Sequence, residues 1–96
     1  MRQEELQKLT EQISRDYFHR PFLHMVKINH RMRTTGGRYH LDDHHIEINA
    51  HFLEAKNQKY LVGIIKHELC HYHLHLMGLG YQHKDRDFKI LLNRVG

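Results

Sequence analysis

The segment from Gln58 to Met77 constrains the fold more than any other part of the chain. Its apolar residues recur at steps of three and four, which is the period of an amphipathic helix. They are Leu61, Ile65, Leu69, Tyr72 and Leu76. Asn57 is a residue type that caps helix N-termini, and Gly78 and Gly80 follow the last periodic position. We therefore predict one long helix over residues 58–77 that buries this stripe.

The same helix carries the segment His67-Glu68-Leu69-Cys70-His71, an H-E-x-x-H motif in which two histidines bind zinc and the glutamate acts as a base. Because 12 of the 96 residues are histidine, chance alone produces this pattern at a frequency of roughly 0.09. Its helical context therefore matters. With Leu61 at 0°, the core stripe spans about 0–80°, whereas His67 and His71 fall near about 240° and 280°. We predict that His67 and His71 bind zinc and that Glu68 is the general base.

A catalytic zinc ion normally has three protein ligands and one open position, so a third donor must come from outside the motif. We predict that this donor is His83. It follows the break at Gly78 and Gly80, where the chain can turn back toward the helix. His75 lies on the same stripe as His71, but a straight helix prevents it from converging on the same ion.

The other histidines and the single cysteine are expected to have structural roles. His73 lies near about 120° on the helix, so we predict a surface or hydrogen-bonded histidine away from the metal. Cys70 lies near about 180°, which indicates a packed, inert thiol. Three histidines flank the turn at Asp42-Asp43, where an accidental second cation site is conceivable but solvated turn residues are expected. They are His40, His44 and His45, and the remaining histidines 19, 24, 30 and 51 are interpreted as structural.

The rest of the chain predicts short elements around this helix. Helical periodicity covers Glu4–Phe18, which Pro21 ends, and Asp85–Val95. Alternating apolar and polar residues predict three strands, at residues 25–33, 38–41 and 45–49. Asn49 is a candidate N-cap for a short turn over residues 50–56. We predict an α+β, zincin-like fold in which a small antiparallel three-stranded sheet, made of two hairpins, packs with the active-site helix and flanking helices.

Composition narrows the class of protein. The chain has 96 residues, enough for one domain, and no apolar run approaches the roughly 20 residues that span a bilayer. The N-terminus has no apolar stretch typical of a secretory signal, and Cys70 is the only cysteine. A cytoplasmic protein is therefore expected. The net charge of +4 makes an anionic partner such as nucleic acid conceivable, although such a modest excess more often belongs to an ordinary solvated surface.

These residues resemble the SprT-like family, which is also typified by the Spartan proteases. The resemblance rests on the motif at residues 67–71, on His83 and Phe88, and on the segment Arg33–Tyr39. The segments 46–49 and 80–85 are further similar to bacterial SprT-like proteins of the Gram-positive type. The similarity covers nearly the whole chain.

The resemblance implies a zincin-like fold, an active-site helix completed by a third histidine ligand, and metallopeptidase activity. Eukaryotic relatives cleave proteins crosslinked to DNA. Many relatives continue into a C-terminal zinc ribbon with paired cysteines, and this chain has no such cysteines before Gly96. We therefore expect residues 1–96 to form a single SprT-like metallopeptidase domain without that ribbon, and we do not transfer the role in crosslink repair.

Two functions from different classes follow from these expectations. The first is a zinc-dependent metalloendopeptidase that binds one Zn²⁺ ion and hydrolyses a protein or peptide substrate, with Glu68 as the base. The alternative is a non-catalytic zinc-binding domain associated with DNA, in which Glu68 only orients a metal ligand. A histidine-rich interaction domain without metal would require the motif, its helical register and the resemblance all to be coincidental.

Overall fold

Three α-helices and a three-stranded sheet make up the computed structural model, which describes all of residues 1–96. The elements in chain order are α1 at Gln3–Ile13, β1 at Val26–Asn29, β2 at Gly37–Tyr39, β3 at Ile46–Asn49, α2 at Leu61–Leu76 and α3 at Arg86–Val95. A π-helical turn at Ser14–Phe18 extends α1, and 3₁₀ turns cover Ala50–Leu53 and Ala55–Tyr60. The predicted α+β class is confirmed. No helix has both the length and the apolar character needed to cross a membrane.

The sheet is mixed, so the prediction of an antiparallel sheet with two hairpins is wrong. The strand order is β1-β3-β2, with β1 parallel to β3 and β2 antiparallel to β3. Ile46 and Ile48 of β3 are fully buried, and a strand with two such residues is best placed at the centre, where both of its edges are paired. Alternation along a strand identifies the face of each side chain but not the neighbouring strand. For this reason only the β2–β3 hairpin could be read from the sequence.

The first strand ends earlier than predicted, at Asn29 instead of Arg33. The Oδ1 atom of Asn29 accepts hydrogen bonds from the backbone N–H groups of Arg31 and Met32, at 2.7 and 3.1 Å. A side chain that binds its own downstream backbone in this way turns the chain out of the sheet. The third strand lies within its predicted range, whereas the second begins one residue earlier than predicted, at Gly37, and ends at Tyr39 instead of Leu41.

Both α1 and α2 pack on one face of the sheet. Leu6 and Ile13 of α1 share one buried cluster with the apolar residues of the strands and of α2. The predicted stripe on α2 is confirmed at Leu61, Ile65, Leu69 and Tyr72, all of which are buried. It is wrong at Leu76, which is 46% exposed.

Leu76 is exposed because α3 packs against a second side of α2. Cys70 and Leu74 of α2 form a second buried cluster with Phe88 and Val95 of α3. The last turn of α2 therefore buries Leu74 instead of Leu76. Cys70 is fully buried, as predicted for an inert thiol, and burial together with the nearby Glu68 raises its pKa to about 12.

Helix ends depart from the sequence-based boundaries in two places. Asn57 does not cap α2, because its side-chain amide donates to the carbonyl of His51 at 3.0 Å, and α2 begins only at Leu61. The first helical segment reaches Phe18 as predicted, but it ends at His19, whose φ of 57° is left-handed, before Pro21 is reached. The Asn49 cap is confirmed. Its side chain accepts a 3.0 Å hydrogen bond from the backbone N–H of His51.

Candidate metal centre

Three imidazoles meet where the middle of α2 faces the loop that connects α2 to α3. The Nε2 atom of His83 lies 2.8 Å from Nε2 of His67 and 3.0 Å from Nε2 of His71. His67 and His71 lie one helical turn apart, so their rings project from the same side of α2. The three residues predicted as metal ligands are therefore brought together, with all ligand atoms within 4.8 Å of one another.

The end of α2 gives the chain the reversal that brings the loop back. Gly78 adopts a left-handed φ of 71°, a conformation that costs glycine little. The backbone N–H of Leu79 then donates to the carbonyl of Leu74 at 2.9 Å, which closes the last turn of the helix. The chain leaves α2 at a defined angle toward the metal centre.

Two carboxylates fasten the loop that carries His83. The backbone N–H of Gly80 donates to Oδ2 of Asp87 at 2.8 Å, and that of Gln82 donates to Oδ2 of Asp85 at 3.0 Å. Gly80 approaches Asp85 so closely that a Cβ atom there would lie 2.8 Å from the Cβ of Asp85. His83 is thus held in place between fixed points on both sides.

Hydrogen bonding determines which nitrogen of His71 faces the cluster. The Nδ1–H of His71 donates to the backbone carbonyl of Tyr81 at 2.6 Å, so the neutral ring directs the lone pair of Nε2 toward His67 and His83. A backbone carbonyl that orients an imidazole in this way is a common partner of metal-binding histidines. The Nε2 lone pair of His71 therefore faces the Nε2 atoms of His67 and His83, which is the arrangement that a shared metal ion requires.

The surroundings keep the imidazoles of His67 and His71 neutral. Burial, with smaller contributions from His71 and His83, lowers the pKa of His67 to about 4. Burial also lowers the pKa of His71, against the raising effect of its bond to Tyr81 and with a further lowering from His83. Only the neutral imidazole offers a lone pair to a metal, so both rings are in the ligand form at neutral pH.

Phe88 of α3 packs against all three imidazoles. Its ring stacks on His71 at a centroid distance of 4.4 Å and meets His67 and His83 edge-on, each at 5.2 Å. Phe88 itself is 2% exposed. The aromatic ring therefore restricts the rotamers of the three histidines and shields them from water on one side.

Glu68 lies beside the cluster and is only 6% exposed. Its carboxylate makes no hydrogen bond to another residue, and burial raises its pKa to about 7, against the lowering effect of Arg38. A carboxyl group with this pKa and without fixed partners can accept and release a proton near neutral pH. It has the properties that a general base needs.

A cleft of about 760 Å³ opens onto these residues. It is lined by Thr35–Tyr39 of the β2 region, by His67, Glu68 and His71 of α2, and by the loop residues Tyr81–His83. Since β2 is an edge strand, one of its two hydrogen-bonding edges has no partner strand. The cleft therefore combines an available strand edge with the histidine cluster and a carboxyl group.

The remaining histidines of α2 lie outside the cluster, as predicted. His75 forms a 2.7 Å hydrogen bond between its Nδ1 atom and the hydroxyl group of Tyr39. His73 is 3% exposed and donates from Nε2 to the Oγ atom of Ser14 at 2.7 Å, while Ser14 donates to the carbonyl of Arg20. The hydrogen-bonded alternative predicted for His73 is thus confirmed, and the surface alternative is wrong.

The turn histidines divide into two groups. His40 and His45 are partly buried and lie together beside Glu47, so they are not simply solvated turn residues. His44 points the other way and bonds to Tyr39. Histidines 19, 24, 30 and 51 belong to neither histidine cluster.

Sequence reasoning missed two contributors to the centre. Tyr81 acts through its backbone carbonyl, and every residue has one, so no sequence pattern can reveal this contact. Phe88 stands out in the sequence only as an apolar position of the last helix and as one point of the family resemblance. Its contact with three histidines depends on how α3 packs against α2.

Comparison with known proteins places these features in one family. The model of the SprT-like family matches residues 6–96. The chain is 58% identical over 95 residues to the protein named Protein SprT-like from Bacillus subtilis (strain 168), covering 99% of this chain and 63% of that protein. It is 56% identical over 95 residues to those from Bacillus cereus (strain G9842) and Anoxybacillus flavithermus (strain DSM 21510 / WK1). This chain spans 62% and 63% of their lengths. No solved structure matches.

Proposed function

This chain belongs to the SprT-like family, and from that premise we propose that it is a zinc-dependent metalloendopeptidase. His67, His71 and His83 would hold one Zn²⁺ ion, and Glu68 would act as general base. The observation that carries the proposal is the convergence of three Nε2 atoms beside a carboxyl group that has no hydrogen-bond partner. A protein or peptide would be the substrate and a reducing compartment such as the cytoplasm the setting.

The donor set fits zinc. Zinc binds imidazole nitrogen at about 2.0–2.1 Å, and a tetrahedral arrangement then separates two such nitrogens by about 3.3 Å. The observed Nε2 separations of 2.8 and 3.0 Å need only a small outward adjustment. Three protein ligands leave a fourth position open, as in catalytic zinc sites. Bound there, zinc would act as a Lewis acid that acidifies water toward a pKa of about 7 and polarises a carbonyl group.

Glu68 would move the proton in both halves of the reaction. Its carboxylate would accept a proton from the attacking water and then return it to the nitrogen of the departing amine. A pKa of about 7 suits both steps, since the group is partly in each form at neutral pH. Its burial also removes competing water from the carboxylate.

The edge of β2 would bind the substrate. An extended peptide can add to an unpaired strand edge through backbone hydrogen bonds, which do not depend on the side chains of the peptide. Gly36 and Gly37 present no side chain on this part of the cleft. Broad sequence tolerance follows from such a mode of binding.

The non-catalytic alternative assigns Glu68 a purely orienting role. Such a carboxylate would accept a hydrogen bond from a ligand imidazole. For His71 that position is taken by the carbonyl of Tyr81, and Glu68 makes no hydrogen bond to either histidine of the motif. These contacts favour the enzymatic proposal. In that alternative, the net charge of +4 would serve association with DNA.

Replacing Glu68 with glutamine tests the proposal. Glu68→Gln keeps the size of the side chain but removes its basicity, so the variant should retain one zinc ion. Its hydrolysis of an unfolded protein should fall by about 10²–10⁴-fold. Zinc content and peptide release are measured on the same preparation. Unchanged hydrolysis in a zinc-loaded Glu68→Gln protein would contradict the role of Glu68, and an absence of hydrolysis in the zinc-loaded parent protein would favour the non-catalytic alternative.

A further inference from the structure

A second cluster of metal-ligating side chains lies on the hairpin formed by β2 and β3. The Nε2 atom of His40 is 3.0 Å from Oε1 of Glu47, and Nε2 of His45 is 3.5 Å from Oε2 of the same carboxylate. The three groups lie within 4.8 Å of one another. Ile46 and Ile48 point into the core, so Glu47 between them points to the opposite face of the sheet, away from α2. This cluster is separate from the metal centre on α2.

The hydrogen bond from Nδ1 of His45 to Asp43 determines what its Nε2 atom can offer to Glu47. Oδ1 of Asp43 accepts a bond from Nδ1–H of His45 at 2.5 Å and another from its backbone N–H at 3.1 Å. A neutral His45 then directs the lone pair of Nε2 at the carboxylate of Glu47. Two groups that both accept hydrogen bonds repel each other unless a cation lies between them. That cation is either a proton, which makes His45 an imidazolium, or a metal ion.

The parallel rings of His40 and His45 are arranged so that one metal ion can bind both Nε2 atoms. Their centroids are 4.0 Å apart and their planes differ by 8°. Two imidazolium cations stacked this closely would repel, whereas neutral rings stack without that cost. Neutral rings are also the form that binds metals. The stack presents both Nε2 atoms to the same carboxylate.

Glu47 is oriented toward the histidines and not toward nearby cations. Lys27 and Arg38 are its partners on the adjacent strands, yet neither forms an ion pair with it within 4.0 Å. The only other polar contact of its side chain from a neighbouring strand is the Nδ2 atom of Asn29, which donates to Oε1 at 3.3 Å. The carboxylate therefore faces the two histidines and is available as an oxygen ligand.

We propose that His40, His45 and Glu47 form a second metal site, which takes a divalent first-row transition ion such as Zn²⁺. Two imidazole nitrogens and one carboxylate oxygen suit such borderline ions better than Mg²⁺ or Ca²⁺, which prefer oxygen alone. Asp43 orients His45, as a carboxylate does for many metal-binding histidines. The ion joins β2 to β3, and since β2 lines the cleft it stabilises that part of the cleft. This site is independent of the proposed catalytic function.

Each of the two proposed zinc sites is tested in a variant in which the ligands of the other site have been replaced. Metal-free protein is titrated with Zn²⁺ against a competing chelating dye. The His67→Ala, His71→Ala double variant should bind one equivalent at the hairpin site, and adding Glu47→Gln or His40→Ala should remove it. Asp43→Asn in the same background should weaken binding by about 10–100-fold. His30→Ala is the control, because His30 is exposed and lies outside both clusters, and it should leave the equivalent unchanged.

A double variant that binds no zinc, or whose zinc persists after both Glu47→Gln and His40→Ala, overturns the second site. Thermal unfolding supplies a second readout, since zinc should raise the unfolding temperature of the double variant but not after Glu47→Gln is added. That readout also verifies that each variant folds. If instead the α2 centre does not bind zinc, the result differs, because the protein with the single substitution Glu47→Gln would then bind no zinc.

Discussion

At the scale of single residues, hydrogen bonding and packing separate the histidines proposed as ligands from a histidine with a structural role. His67 and His71 are half-buried at the cleft, where their Nε2 atoms face His83. His73 is buried, and its Nε2–H donates a hydrogen bond to Ser14. All three are histidines of one helix within seven residues. The helical register predicted this difference in position, because residues 67 and 71 share a face and residue 73 lies on another. Metal binding by His67 and His71 stays a prediction.

The buried His73 should make the stability of the fold depend on pH. Burial, with a smaller contribution from Arg20, lowers its pKa to about 4, from an ordinary value of 6.5. As pH falls from 6.5 toward 4, the unfolded chain binds a proton at this residue and the folded chain does not. The stability that neutral His73 contributes is complete above pH 6.5 and is lost as pH falls through 4, by up to about 3 kcal/mol.

Urea unfolding of metal-free protein at pH 7 and pH 4.5 measures this effect. His67 and His71 also titrate in this window, so the comparison is between the parent protein and His73→Gln, which keeps an amide donor for Ser14. The free energy of unfolding should fall less with pH in the variant. Equal pH dependence in both proteins would show that His73 is not the responsible group.

At the scale of elements, β2 passes so close to α2 that it positions Glu68, the proposed base. A Cβ atom on Gly37 would lie 2.9 Å from Cγ of Glu68 and 3.1 Å from the carbonyl oxygen of Glu47. Glycine therefore allows the strand to cross the helix directly over the carboxylate of Glu68. The sequence shows two glycines in a turn, but it does not show which helix residue they pass.

Gly37→Ala should displace Glu68 while leaving the three histidines in place. We expect zinc binding to be retained, peptide hydrolysis to fall at least tenfold, and the free energy of unfolding to drop by about 1–3 kcal/mol from overpacking. Gly63→Ala is the matched control for stability, since nothing lies within 4 Å of its added Cβ atom on α2. That variant should gain about 0.5–1 kcal/mol from helix propensity. A Gly37→Ala protein with normal hydrolysis would mean that this approach does not position Glu68.

Whether an element could be predicted from the sequence depends on whether the residues that determine it are near or far apart along the chain. The helix α2 and the shared face of His67 and His71 depend on residues three and four apart, so periodicity located them, although α2 begins three residues later than predicted. The pairing of β1 with β3 joins Val26 to Ile46 across a long stretch of chain, and no local pattern specifies it. The packing of Phe88 on His71 likewise depends on two helices meeting, and the sequence could only indicate that Phe88 is apolar.

At the scale of the whole molecule, a chain of 96 residues has a small core. Two buried clusters, of 11 and 4 residues, both include side chains of α2. The histidine centre lies between α2 and the loop that precedes α3. A metal ion at that point would link α2 to the loop that leads into α3. Binding to the folded state alone stabilises it by mass action.

Removal of zinc should therefore lower the stability of the entire domain. With free zinc at 100 times its dissociation constant, the bound form should be more stable than the metal-free form by about 2.7 kcal/mol per site. Calorimetric or dichroic melting with and without a strong chelator measures the difference. Identical unfolding temperatures in both conditions would argue that no zinc ion connects α2 with the loop.

The central claim is that His83, and not His75, completes the centre with His67 and His71. His83 places its Nε2 atom 2.8 and 3.0 Å from those of the motif, while His75 is bonded to Tyr39. Competition for zinc against a chelator tests this directly when it is carried out on Glu47→Gln protein, which leaves the hairpin cluster without its carboxylate. His83→Ala should lower the zinc affinity at least 100-fold and His75→Ala should leave it within about threefold of the parent. The opposite ranking, with His75→Ala losing zinc and His83→Ala retaining it, would contradict the account.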